Sequence, residues 1–160
     1  MISAFLPIVD QCSEIIILGS MPGVESLRQQ QYYAHPRNVF WRIMGELCNF
    51  SLELSYESRL KLLLEHRIAL WDTASSCQRE GSLDSAIHDV KINDFEGFLK
   101  QYSTIKTVCF NGQVASKLFI KHSKSMRLPA LTFIQLPSTS PAYASMKFSD
   151  KLSAWQQIPL

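Results

Sequence analysis

Four short runs of this chain are apolar almost without interruption, and longer segments around them carry apolar residues at helical spacing. Residues 14–20, 68–74, 107–111 and 131–136 each end on small or polar residues, which predicts strands covered on both faces. Residues 39–47, 56–66, 94–102 and 113–122 read as helices. Strands and helices that alternate in this way build a parallel sheet with right-handed crossovers. The expected fold is α/β, a three-layer α/β/α sandwich around a central four-stranded parallel sheet. Ligands of such sheets bind where the carboxyl ends of the strands open. The loops at that edge, 20–38, 75–85, 111–113 and 137–143, are therefore the candidate site.

Composition narrows the class without choosing a partner. At 160 residues, 46% hydrophobic and 19% charged, the chain reads as a single globular domain spanning residues 1–160, with no repeat, linker or low-complexity tract. A formal charge of +2 tolerates a polyanion but does not demand one. Cys12, Cys48, Cys77 and Cys109 are widely spaced, with no CxxC pair, so reduced structural thiols are expected and neither metal nor cofactor. The N-terminal segment lacks a basic region, and no run reaches the ~20 apolar residues of a membrane span. A cytoplasmic protein with no membrane partner is the expectation.

Chemistry concentrates in three segments. Gly19-Ser20-Met21-Pro22-Gly23 follows the first strand, and Tyr32-Tyr33-Ala34-His35-Pro36-Arg37-Asn38-Val39-Phe40-Trp41 comes soon after. The Pro22-Gly23 pair also suits a plain turn, in which Pro22 fixes φ and Gly23 accepts a positive one. Without the lysine of a GxxxxGK[ST] loop, a nucleoside triphosphatase is disfavoured. Asn38 falls at the N-cap position of the next helix, which would hold it rigidly at the sheet edge whether or not it has a chemical role. The third segment, Leu136-Pro137-Ser138-Thr139-Ser140-Pro141-Ala142-Tyr143, sets two prolines around three hydroxyls, which donate to phosphate oxygens without adding charge. An ordinary strand-to-helix connection has the same composition.

Together with Leu70-Trp71-Asp72 and Gly81-Ser82-Leu83-Asp84, these segments make the chain resemble the uracil-DNA glycosylase superfamily, and within it the hypoxanthine-DNA (deoxyinosine) glycosylase branch. The likeness covers nearly the whole chain and rests on motifs found in the same order. Mismatch-specific uracil glycosylases look similar in their Gly-x-x-Pro-Gly loop and His-Pro-x-Asn-x-Phe-Trp segment. The resemblance implies a four-stranded parallel sheet between helices. It also implies hydrolysis of the N-glycosidic bond of a deaminated base in DNA, hypoxanthine and also uracil, to leave an abasic site.

Site roles follow from the same resemblance. Other branches carry a polar Asp or Asn near the attacking water in the first loop, where this chain has Met21. Catalysis would pass to Asn38, its amide oxygen orienting water or its NH2 donating to the base; an amide positions rather than takes up a proton. His35 is the acid–base alternative, since imidazole titrates near neutrality, and it also reads as structural. Tyr33 would stack on the flipped base while main-chain groups of Met21 and Gly23 meet its edge; core packing is the other reading for Tyr32 or Tyr33. Asp72 and Ser75 match the region where relatives read the base, and Asp72 also suits a cap. Ser138, Thr139, Ser140 and Pro141 would meet DNA in the minor groove, with Arg37, Lys147 and Lys151 as candidate backbone contacts. Gly112 either admits DNA or simply turns the chain. Some branches hold an iron–sulfur cluster on four cysteines, but the spacing here argues against one. The expected partner is damaged DNA, double- or single-stranded, bound by a monomer. The alternatives are a mismatch-type uracil or thymine glycosylase and a noncatalytic damage-binding module.

Overall fold

A computed structural model describes Met1–Leu160. In chain order the elements are β1 (Ile2–Ser3), β2 (Ile15–Gly19), α1 (Val24–Gln29), α2 (Phe40–Cys48), α3 (Tyr56–Glu65), β3 (Ile68–Asp72), β4 (Ala74–Gln78), β5 (His88–Ile92), α4 (Phe95–Gln101), β6 (Thr107–Asn111), α5 (Gln113–Ser123), β7 (Thr132–Leu136) and α6 (Phe148–Trp155). The main sheet has the order β3-β2-β6-β7 and is parallel throughout. All four strands and all four helices expected from the pattern are present.

The unbroken apolar run of β2 explains the layering. Successive side chains of a strand point to opposite faces. Ile15 and Ile17 join Ile68, Leu70 and Cys109 under Phe40, Ile43 and Met44 of α2, Leu63 of α3 and Trp155 of α6. Ile16 and Leu18 lie on the other face with Ala69, Trp71, Val108 and Phe110, beneath Phe95 and Phe98 of α4 and Ala115 and Phe119 of α5. Each face of the sheet thus has its own dry core, and the strand ends converge on one rim. No helix is long and apolar enough to cross a membrane.

A second sheet, antiparallel and ordered β1-β4-β5, was not legible in the pattern. Residues 75–85 read as a loop, yet Ala74–Gln78 forms a strand after the single residue Thr73. Ala-Ser-Ser-Cys-Gln has little intrinsic strand preference; pairing with β1 and β5, and burial of Ala74 and Cys77 against Met21, make it one. Two short helices, α1 and α6, were also missed. Cys48, Cys77 and Cys109 are buried, Cys12 is exposed, and all four thiols are free.

Candidate active site

The rim of the main sheet holds a cavity of about 120 Å³. Its floor is where β2 and β3 end side by side, with Gly19 paired to Asp72. A Cβ on Gly19 would lie 2.7 Å from Asp72 Oδ1 and 3.2 Å from the Tyr33 hydroxyl, so the glycine is required by close approach. Gly23 is also set by proximity, because its φ of −76° is ordinary and a Cβ there would meet Ser82 Oγ at 3.3 Å. The positive φ that a plain turn would use is absent. The Met21 side chain packs on Ala74 and Cys77, so its side chain is committed to the small sheet.

Asp72 is 3% exposed, and its Oδ2 has no hydrogen-bond partner. Its carboxyl caps nothing; only its main-chain carbonyl is engaged, by Asn93 Nδ2 at 2.7 Å. Burial, then the negative field of Asp84, push this carboxyl up to about 7, with Arg79 opposing. Ser75 does not join it. That residue lies in β4 and its hydroxyl donates to the Lys91 carbonyl at 3.1 Å, away from the cavity, which corrects the expectation of a base contact.

The segment 32–40 supplies one wall. Tyr32 is the core residue, 4% exposed, with its hydroxyl on the Leu6 carbonyl. Tyr33 adopts φ 56°, a left-handed conformation that costs an aromatic residue on the order of 1–3 kcal/mol. The surrounding structure holds it there: the ring stacks on Phe40 with centroids 4.0 Å apart, and the buried hydroxyl has no hydrogen-bond partner. His35 lines the cavity, and its Nδ1 accepts from the Arg37 amide at 3.1 Å. A neutral His35 therefore carries its proton on Nε2 and offers a donor rather than a base. The Arg37 side chain is exposed and lies outside the cavity.

Asn38 lines the cavity but is not the N-cap. Val39 occupies that position, and Asn38 Oδ1 accepts from the Phe40 amide at 2.9 Å, one step ahead of the helix. This bond fixes the amide plane and turns the NH2 group away from the helix start.

The loop after β7 forms the opposite wall and is held at several points. Asn111 and Thr139 bond reciprocally, both at 3.0 Å. Thr139 is 1% exposed and lines the cavity, and its hydroxyl accepts from Asn111, so it braces the loop from within. Ser138, Ser140 and Pro141 line the cavity beside it. Trp155 Nε1 donates to the Pro137 carbonyl at 3.0 Å, and the Val39 amide donates to the Thr139 carbonyl at 3.1 Å. Lys151, expected at a phosphate, is 4% exposed and donates to the Tyr143 carbonyl at 2.6 Å, while Lys147 stays exposed at the start of α6. Gly112 has φ +92°, and a Cβ there would press on Ser138 at 3.1 Å.

Phe5 escaped the sequence reading, and Asn111 and Asp84, though inside the candidate loops, were given no role there. Phe5 comes from the N-terminal segment, Asn111 ends β6, and Asp84 opens a short helical turn after β4. Ser20 Oγ donates to Asp84 Oδ1 at 2.7 Å across 64 residues of chain. Ser82 Oγ accepts from the Val24 amide at 2.8 Å, and the buried Arg79 donates to the Pro22 carbonyl. The segment Arg79–Asp84 thus straps down the Gly19–Gly23 loop. No local periodicity signals such a strap; only the quoted Gly81-Ser82-Leu83-Asp84 motif marked the region.

A small cavity walled by Tyr33 and Asn38, at the strand ends of a parallel sheet and beside a braced Ser-Pro loop, defines an α/β protein with its site at the carboxyl edge of the sheet. The chain belongs to the uracil DNA glycosylase superfamily, whose profile matches residues 7–158. A hypoxanthine DNA glycosylase of Methanosarcina acetivorans is 39% identical over 156 residues, covering 96% of this chain and 95% of that one. One of Methanosarcina barkeri is 42% identical over 110 residues, 68% of this chain and 70% of its own. The solution NMR structure of a candidate uracil DNA glycosylase from M. acetivorans superposes with a TM-score of 0.83 at 38% identity, covering 98% of this chain and 94% of that one.

Proposed function

We propose that this protein excises hypoxanthine from DNA by hydrolysing the N-glycosidic bond of deoxyinosine, leaving an abasic site. Asn38 is the observation that carries the reading: an amide clamped by the Phe40 N–H at the start of α2, on the wall of a cavity for a single base. With Oδ1 so engaged, its NH2 donates to the departing base and stabilises the charge that develops there. Such help suits bases that leave readily as anions, such as hypoxanthine or uracil, better than adenine. Tyr33 provides the aromatic wall. The Asp72 carboxyl lines the cavity and meets the lactam edge of the base through Oδ1, the lactam's N–H and C=O being a donor and an acceptor side by side. The names of the two relatives support hypoxanthine as the substrate.

The substrate in this reading is damaged DNA, double- or single-stranded, and the protein acts as a cytoplasmic monomer. Flipping the nucleotide out of a duplex costs a few kcal/mol, less where a deaminated base pairs weakly. Ser138 and Ser140 hold the backbone around it. Uracil presents the same lactam pattern as hypoxanthine, so a uracil or mismatch preference is the second reading. Labelled duplexes carrying inosine, uracil, xanthine or a thymine mismatch separate the two, and cleavage of uracil with none of inosine refutes the first. Asn38→Ala should lower single-turnover excision by at least ~100-fold while binding to an abasic-site duplex persists. Full turnover in that variant overturns the role given to Asn38; no excision by the wild type on any duplex favours a binding module.

A further inference from the structure

His35 Nδ1 is taken by the Arg37 amide, and Asn38 Oδ1, already bound to the Phe40 amide, keeps one lone pair of a neutral amide, which orients a water but takes no proton from it. Met21 offers no polar side chain. Of the three carboxyl groups in the wall, Glu25 is bound by Arg28 and Gln29 and Asp72 is held toward its neutral form by burial, which leaves Asp84. Asp84 accepts from Ser20 Oγ through Oδ1, while Oδ2 accepts no hydrogen bond and is not sealed from the cavity. Carboxylates that serve folding alone are normally paired. Asp84 forms no ion pair; Arg79 donates to the Pro22 carbonyl through Nη2 alone and acts on Asp84 only through its field.

Its position is more telling than its bonding. Beside the base cavity lies a second, more open one of about 420 Å³, running between Gly112 and the loop after β7. Ser82, Asp84, Ser138 and Ser140 are the four residues common to both. On the excision reading, a flipped nucleotide with its base in the inner cavity and its phosphates along the outer one would have its sugar at the junction. Asp84 is the charged residue of that junction.

We propose that Asp84 is a further catalytic residue of base excision: its Oδ2 accepts a hydrogen bond from the attacking water and faces the deoxyribose as that ring becomes cationic. The proposal rests on the excision reading above. As the water oxygen bonds to C1′, the bond from C1′ to the base nitrogen breaks and its electron pair leaves with the base. One water proton passes to Asp84 and then to solvent, and the base anion takes up a proton from solvent. The products are an abasic deoxyribose and the free neutral base, so one water is consumed and nothing else.

Asp84 must be ionised for this. Burial raises its pKa, while the Ser20 bond and Arg79 lower it. Asp72 also faces it across the cavity and is the more deeply buried of the two, so it holds the proton while Asp84 carries the charge. Tyr33 and Cys77 lie within its field, and Glu25 and His35 line the same cavity; none of these hydrogen-bonds to it.

The test uses Asp84→Asn, which keeps an acceptor for Ser20, and Asp84→Ala, which leaves room for formate. In single-turnover assays on an inosine duplex, Asp84→Asn should lose roughly 100-fold or more, with affinity for an abasic-analogue duplex within about threefold. The acid-side decline of the wild-type rate should be absent in Asp84→Asn, and added formate should restore turnover to Asp84→Ala. A near-wild-type rate in Asp84→Asn overturns the proposal. So does a loss of rate matched by loss of binding with no formate rescue, which marks a purely structural strap. Failure of the wild type on inosine would instead strike the substrate reading, and the same variants would then be run on whichever duplex is cleaved.

Discussion

Replacing Asp72 with Asn removes a buried charge and keeps its shape. The fold holds this carboxyl up from an ordinary 3.8 to about 7, chiefly by burial. A carboxyl with a higher pKa folded than unfolded keeps its proton longer in the native state, so the native state binds more protons between those two values. Stability therefore falls as pH rises through that window. The penalty is absent below about 3.8 and complete above about 7. At about 1.4 kcal/mol per pH unit, most of that interval lies between pH 4.5 and 8.5 and is worth roughly 3 kcal/mol. Asp72→Asn should gain on the wild type by that amount across the range, read as urea unfolding free energies at a series of pH values. A gap between the two proteins that stays constant with pH refutes the argument, because a packing difference of the amide has no reason to titrate.

Gly112→Ala forces a side chain onto a left-handed residue and against Ser138, and should cost about 1–3 kcal/mol, visible as a lowered Tm together with weaker DNA binding. Lys151→Met removes the bond to the Tyr143 carbonyl and should weaken DNA binding by roughly three- to tenfold as the loop loosens. The slope of log Kd against log salt should not change in Lys151→Met; a shallower slope would mean that this lysine does touch a phosphate.

How much of this was legible depends on the range of the interaction that builds each part. The continuous apolar run of β2 and the 3.6-residue spacing of α2 are local signals, and both elements formed as expected. Tyr33, His35 and Asn38 lie within six residues of one another, so one motif placed all three on the same wall. Ser75 looked like a site hydroxyl because its neighbours are, and strand pairing turned it away; Thr139 does line the cavity, held there by Asn111, 28 residues distant. Lys151 was read as an exposed cation, yet the loop carbonyl it serves covers it. Asp84 stood in a quoted motif and a candidate loop but received no role, because its partner Ser20 lies on another strand end and the small sheet that brings them together has no periodicity of its own.

The bond from the Val39 amide to the Thr139 carbonyl joins the wall that carries Asn38 to the loop facing DNA. Both partners are main-chain atoms. Alanine scanning cannot delete this tether, and substitutions accumulated over evolution leave it intact at almost any residue except proline. The spacing between the group that acts on the base and the loop that grips the strand is thus inherited through the backbone, sheltered from sequence drift. Its contribution would emerge only from an ester or N-methyl replacement at position 39.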